Sequence, residues 1–174
     1  KVWTILQLRL HESILNLKEK FSSLKDEDNI NIELTYITPR DKEYLKTWKG
    51  DINKSGGILT NIGLHFFDML IYIFGNPINT ELHFKQDNYL AGIINFKSAS
   101  VKWFLSIDEK HSPNYGLDIE NMTYRSITFD KEEIDFSSGF DNLHTLSYKN
   151  ILNSNGFDIR QNKPVMALLE EIKN

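Results

Sequence analysis

Residues Ser55 to Gly75 read SGGILTNIGLHFFDMLIYIFG, and the rest of the chain is organised around them. The run is too apolar for a surface helix and too short for a membrane span, which needs about 20 unbroken apolar residues. At 3.6 residues per turn Asn61, His65, Asp68 and Tyr72 fall at i, i+4, i+7 and i+11, a narrow polar stripe among Ile, Leu, Phe and Met. Ser55 suits an N-cap, Gly56 and Gly57 admit a second backbone or a ligand, and Gly75 before Asn76 and Pro77 is a stop signal. A buried helix with one polar seam predicts a site. On this spacing Asp68 can accept a proton from the His65 imidazole and fix its tautomer, while Asn61 can hold a substrate hydroxyl. A hydrogen-bonded structural histidine fits the same pattern.

Leading into the helix is TPRDKEYLKTWKGDINKSGG, Thr38 to Gly57, polar and cationic. Loops of this length in a compact domain are functional or mobile. Arg40, Lys42, Lys46, Lys49 and Lys54 suit an anionic ligand, and Trp48 can stack on a ring; a flexible charged loop is the alternative.

Further upstream, Ile30 to Ile37 alternates strictly, as a half-buried strand requires. Ile14, Leu17, Phe21 and Leu24 mark one face of a helix from Glu12, which ends in the acidic run Asp26, Glu27, Asp28, a solvated loop. Val2 to Leu10 reads as a buried strand with two polar interruptions, Gln7 and Arg9.

Downstream come short strands at Thr80 to Gln86, Tyr89 to Phe96, Ser100 to Ile107, Met122 to Phe129 and Ile134 to Phe136. They predict an antiparallel meander and an α+β fold, an open, mostly antiparallel sheet with helices on one face. Tyr89, Phe96 and Trp103 on the other face mark a candidate subunit interface, or ordinary core pairs. One more helix is expected in GFDNLHTLSYKNILNSNG, apolar at Leu143, Leu146, Ile151 and Leu152, and a last one after Pro164 with Val165, Leu168, Leu169 and Ile172. His144 is expected to cap or pack, and His11, His83 and His111 receive no role.

The 174 residues, 40% hydrophobic, fit one domain with a real core. A net charge of -4 with interspersed signs leaves no footprint for nucleic acid. With no cysteine there is neither a disulfide nor a thiolate nucleophile, in keeping with a reducing cytoplasm. No signal peptide or membrane segment is read, so no membrane partner is expected. No spacing suits a metal, and no G-x-x-x-x-G-K-[ST], G-x-S-x-G or G-x-G-x-x-G occurs. The chain begins at Lys1 and runs straight into an apolar strand, so a fragment is expected.

SGGILTNIGLHFFDMLIYIFG resembles the signature G-G-x-x-x-D-x-G-x-H-x-x-D of the Gfo/Idh/MocA oxidoreductases. QLRLH, TWKGD...KSGG, VKWFLSID, RSITFD, GFDNLHT and NGFDIRQNKP extend the likeness, over nearly the whole chain, to a branch of bacterial UDP-N-acetylglucosaminuronate 3-dehydrogenases of surface polysaccharide (lipopolysaccharide, O-antigen) biosynthesis. The resemblance implies that residues 1–10 are the final strand of an amino-terminal Rossmann domain and 11–174 a substrate-binding and oligomerisation domain. It implies a cytoplasmic NAD-dependent enzyme oxidising the C3 hydroxyl of a UDP-N-acetyl sugar acid, with NAD bound mainly by the upstream domain and a homo-oligomer formed through the sheet face. By this likeness His65 is the acid/base, acting together with a lysine upstream of Lys1. Asn61 stands where many members carry aspartate and anchors the sugar, Arg40, Trp48, Lys54 and Ser55 serve the anionic substrate, and Arg9 faces the nicotinamide. A non-catalytic sugar-nucleotide-binding or assembly module and a dehydrogenase of a free sugar or polyol are the alternatives. The fragment alone is expected to be inactive.

Overall fold

The computed structural model describes residues 1–26, 28–118 and 122–173, so Glu27 of the acidic run lies outside the described residues. The strand expected over Val2 to Leu10 shrinks to Trp3–Thr4 (β1), which pairs antiparallel with Phe157–Asp158. From Gln7 to Leu10 the chain forms a 3-10 helix. The reason is burial: Leu8 (1% exposed) and Arg9 (8%) are consecutive and both turned inward, which strand alternation forbids on a one-sided sheet.

Helix Glu12–Phe21 (α1) follows, opened by His11, whose Nδ1 accepts the Ser13 amide (3.2 Å), and it buries Ile14, Leu17 and Phe21 as its period predicts. Strand Ile30–Ile37 (β2) buries Ile32, Leu34 and Tyr36 on the predicted face. The cationic stretch is less loose than expected. It contains helices Lys42–Lys46 (α2) and Ile52–Ser55 (α3), capped by Asp41 and Asp51, which accept the Tyr44 amide (2.7 Å) and the Asn53 amide (3.0 Å).

The apolar helix is divided. Gly56 at φ 75° separates α3 from Gly57–Asn61 (α4), and Ile62 (φ -117°, ψ -44°) separates α4 from Gly63–Phe74 (α5). A Cβ at Gly56 would strike the Thr60 hydroxyl at 2.4 Å. Ser55 accepts the Gly57 amide through its hydroxyl (3.0 Å) and so bridges the first break. Taken end to end, Ile52–Phe74 is 23 residues, long and apolar enough to cross a bilayer by length and composition, longer than the 55–75 run predicted. Here it packs into the core. Gly63 lies so close to the sheet that a Cβ would meet Phe67 at 3.0 Å and Leu105 at 3.5 Å.

The remaining strands are Asn79–Lys85 (β3), Tyr89–Asn95 (β4), Ala99–Ser106 (β5), Tyr124–Phe129 (β6) and Glu132–Asp135 (β7). Together with β2 they form a six-stranded sheet in the order β3-β4-β5-β2-β6-β7. Every neighbouring pair is antiparallel except β2 and β5, which run parallel from Ile30↔Ala99 to Ile37↔Ser106. The α+β, mostly antiparallel architecture is as expected. Helix Leu143–Leu152 (α6), strand Phe157–Asp158 (β8) and helix Lys163–Lys173 (α7) complete the chain.

Helix α5 packs against α1 and α7 and drives Phe66 and Phe67 onto Trp103, with ring centroids at 6.0 and 5.0 Å. Trp103 (2% exposed) and Phe96 (3%) therefore belong to the core and not to the exposed sheet face. That outer face carries Tyr89 and Phe104, 5.8 Å apart, and Phe84. The face expected on α6 also shifts: Leu143 and Ser147 are buried, while Leu146 and Leu152 are exposed. On α7 Val165, Leu168, Leu169 and Ile172 are all buried, as the spacing predicts.

The polar side of α5 is tied to the two ends of the chain. Arg9 Nε donates to Asp68 Oδ2 (2.9 Å), Nη2 to Oδ1 (2.6 Å), and Nη1 to Gln161 Oε1 (2.7 Å). The Asp68 side chain is 2% exposed and that of Arg9 9%, so neither charge is hydrated. Removing one partner strands the other. Asp68→Ala is expected to cost about 3–5 kcal/mol in chemical denaturation, whereas Arg9→Met with Asp68→Leu should cost far less.

Candidate functional site

His65 stands in the first turn of α5, partly buried, and its Nδ1 is buried with no hydrogen-bond partner among the described residues. Asp68 does not supply one. Its two oxygens are taken by Arg9, so the tautomer-fixing hydrogen bond expected from the i, i+3 spacing is not formed. Below it Tyr72 closes the seam, its ring 5.2 Å from the Arg9 guanidinium and 4.4 Å from Lys18 Nζ.

The electrostatics favour a neutral imidazole. Desolvation pushes the His65 pKa below its ordinary value, Asp68 pulls it partly back up, and His144 lowers it further by like-charge repulsion. His144, exposed on α6, thus lies within electrostatic range of His65. α6 packs on the 3-10 helix of Gln7–Leu10, which brings it there. Sequence order separates the two histidines widely, and no spacing rule could have joined them. His11 plays a structural part of its own, since with Nδ1 accepting the Ser13 amide, Nε2 donates to the Ser138 carbonyl (2.7 Å) and pins the segment before α6.

The expected substrate residues do not converge on one point. The kink at Ile62 interrupts the stripe, and Asn61 donates from Nδ2 to the Lys49 carbonyl (3.1 Å). Asn61 lines a cleft of about 580 Å³ with Tyr44, Lys49, Gly57 and Lys85, and His65 is not among its walls. Arg40 borders a second hollow with Lys42 and Asp108, its guanidinium 4.9 Å from the Tyr44 ring. Trp48 is 58% exposed, with Lys49 Nζ 5.9 Å from its ring. Lys54 pairs with Asp51 (3.3 Å), and Ser55 is buried, serving the turn at Gly57. Arg9 is sandwiched by Tyr72 and Phe157, each of its three nitrogens engaged. Among the described residues no three His, Cys, Asp or Glu gather as a metal site.

One charged group escapes sequence inspection. Arg125 on β6 turns to the helix-bearing face opposite Tyr36, partly buried, with Nε unpartnered among the described residues. Its place near the start of β6 gives no sign of which face it takes.

A depressed His65 pKa has a signed consequence. The unfolded chain takes the proton first as pH falls through about 6.5. Stability should therefore decline from there down to the lower folded value and level off below it, and His65→Asn should flatten that limb. Nuclear magnetic resonance titration should place the ring's midpoint below about 6.5. His144→Ala should move it upward, and a midpoint above about 6.5 would contradict the desolvation of the ring.

The model of an oxidoreductase family's C-terminal alpha/beta domain, Gfo/Idh/MocA, matches residues 29–118. Over its whole length the chain superposes on the WlbA (WbpB) dehydrogenase from Thermus thermophilus in complex with NAD and UDP-GlcNAcA, at 40% identity and a TM-score of 0.90. A second structure of that enzyme, with NAD and alpha-ketoglutarate, is matched over 97% of this chain at 43% identity and a TM-score of 0.87. The WlbA dehydrogenase from Bordetella pertussis, in complex with NADH and UDP-GlcNAcA, shares the fold at 16% identity, with 99% of this chain and 60% of that one covered and a TM-score of 0.72. The chain spans 55% of the length of the Thermus enzyme. The interrupted apolar helix, the six-stranded sheet and the matched residues lead to one conclusion: this chain belongs to the Gfo/Idh/MocA oxidoreductase family and carries its C-terminal α/β domain.

Proposed function

We propose that this chain is the substrate half of an NAD-dependent dehydrogenase that oxidises the C3 hydroxyl of a UDP-N-acetyl sugar acid for cytoplasmic assembly of a surface polysaccharide. The observation that carries the proposal is the state of His65: a partly buried ring, kept neutral by desolvation, with no carboxylate on its Nδ1. A secondary alcohol gives up hydride only as its O–H proton leaves, and a neutral imidazole receives that proton, worth about 10²- to 10⁴-fold. The Thermus relative, 40% identical, was crystallised with NAD and UDP-GlcNAcA, which supports the choice of sugar and cofactor.

We assign the nicotinamide mainly to a domain outside this chain, a reading supported by the Thermus relative with NAD, of which this chain spans 55%. When bound, it takes the hydride from the sugar carbon. The work of this chain is to hold that carbon in place and to move its proton. Arg9 supports the cofactor side by locking the 3-10 helix to α5, since its nitrogens are already committed. Asn61 holds a sugar hydroxyl from the cleft it lines, through Oδ1, since Nδ2 is given to the Lys49 carbonyl. Arg40, Trp48, Lys54 and Ser55 serve the anionic end, with Lys54 and Ser55 acting through the turn they build. The outer sheet face, with Phe84, Tyr89 and Phe104, joins subunits into a homo-oligomer.

Full-length protein incubated with NAD and a panel of UDP-sugars should reduce nicotinamide only with the sugar acid, a single turnover sufficing. His65→Ala should lower turnover at least about a hundredfold. A near-normal rate in that variant would remove His65 from the mechanism, and reduction with free polyols alone would replace the substrate.

A further inference from the structure

Tyr36 and Arg125 are register partners across β2 and β6, on the face that carries the helices. The Arg125 guanidinium is clamped between two rings, 4.0 Å from the centroid of Phe140 and 4.9 Å from that of Tyr36. Nη1 donates to the Ser137 carbonyl (3.3 Å), the Tyr36 hydroxyl takes a further hydrogen bond, and Nε is buried and donates to nothing among the described residues. Asp135 acts on this cation only from a distance, and among the described residues no carboxylate forms an ion pair with it. Arg40 adds a second positive charge to the same neighbourhood, likewise without an ion pair among the described residues.

Withdrawing a cation from water beside another cation is unfavourable unless a counter-charge arrives, and the described residues supply none. The position also matters. Tyr36 packs edge-on against Phe66, the residue after His65, at 5.5 Å. Phe140 covers Arg125, and four residues on comes His144. One short segment thus covers the uncompensated guanidinium and sets a histidine within electrostatic range of the candidate base.

We propose that Arg125, seconded by Arg40, is the recognition site for an anionic oxygen group of the nucleotide sugar, a carboxylate or a phosphate. The two rings cover the broad faces of the guanidinium, so an anion has to meet it edge-on, the approach from which a planar carboxylate or a phosphate accepts two N–H groups at once. The inference rests on the dehydrogenase assignment above but adds a residue that assignment does not use.

Titration calorimetry on the full-length protein with NAD, using UDP-N-acetylglucosaminuronate, UDP-N-acetylglucosamine and UDP, tests it. Arg125→Ala is expected to weaken the sugar acid at least about tenfold, and Arg125→Lys, which keeps the charge without the fork, to fall between. Weakening of the acid alone assigns the carboxylate, and equal weakening of all three ligands assigns the diphosphate. Affinities unchanged for all three overturn the proposal while leaving the dehydrogenase assignment standing. Should the wild type bind no UDP-sugar, that assignment fails, and glucuronate and inorganic phosphate then decide separately: binding lost in Arg125→Ala upholds the anion site, and no such binding overturns it. If Arg125→Ala melts early, Arg125→Lys and the exposed Arg40→Ala carry the comparison, with KM expected to rise more than kcat falls.

Discussion

A carboxylate that is 2% exposed in the middle of an apolar helix needs a cation, and Asp68 finds it in Arg9. That pair decides more than local stability. Through Gln161 it binds the start of the chain, the central helix and the segment before the last helix into one unit. It also consumes the one acid that helical spacing offers to His65. The imidazole is left with a buried, unpartnered nitrogen and a depressed pKa, which is the state a proton acceptor at neutral pH requires. An Asp–His pair would have raised that pKa.

Much of the fold is legible because burial is periodic. The alternation of Ile30 to Ile37 and the i, i+3, i+4, i+7 spacing of Val165, Leu168, Leu169 and Ile172 each point to the right element and face. The failures have physical causes. Val2 to Leu10 looks extended by composition, but Arg9 must turn inward to meet a charge 59 residues away, and no local rule sees that. The helix from Ser55 to Gly75 is interrupted because Gly56 adopts a left-handed conformation, which the glycine pair permits but does not announce. Alternation alone does not say which side of a sheet the helices cover, and so it leaves Trp103 and Phe96 open between an interface and the core, where both lie.

The site is legible in outline only. His65 can be singled out because it falls on the one polar stripe of an apolar helix, and it lies partly buried in the first turn of α5. Its surroundings cannot be read. His144 comes within electrostatic range of it through the packing of α6, and Arg125 is linked to its neighbour Phe66 only by way of Tyr36; the intervening sequence carries no spacing that would reveal either. The cationic stretch Thr38 to Gly57 reads as one functional loop, yet two aspartate-capped helices divide its charges between two hollows.

The single parallel pairing in the sheet joins β2 to β5, and everything from Thr38 to Ser98 is the excursion between them. Bringing such distant segments side by side carries an entropic penalty that must be met before any of the contacts reward it. Burial of the apolar helix against the central strands offsets that penalty. Assembly of the central helix and closure of the sheet become coupled, so a nascent chain displaying its finished sheet would also display the helix that carries His65.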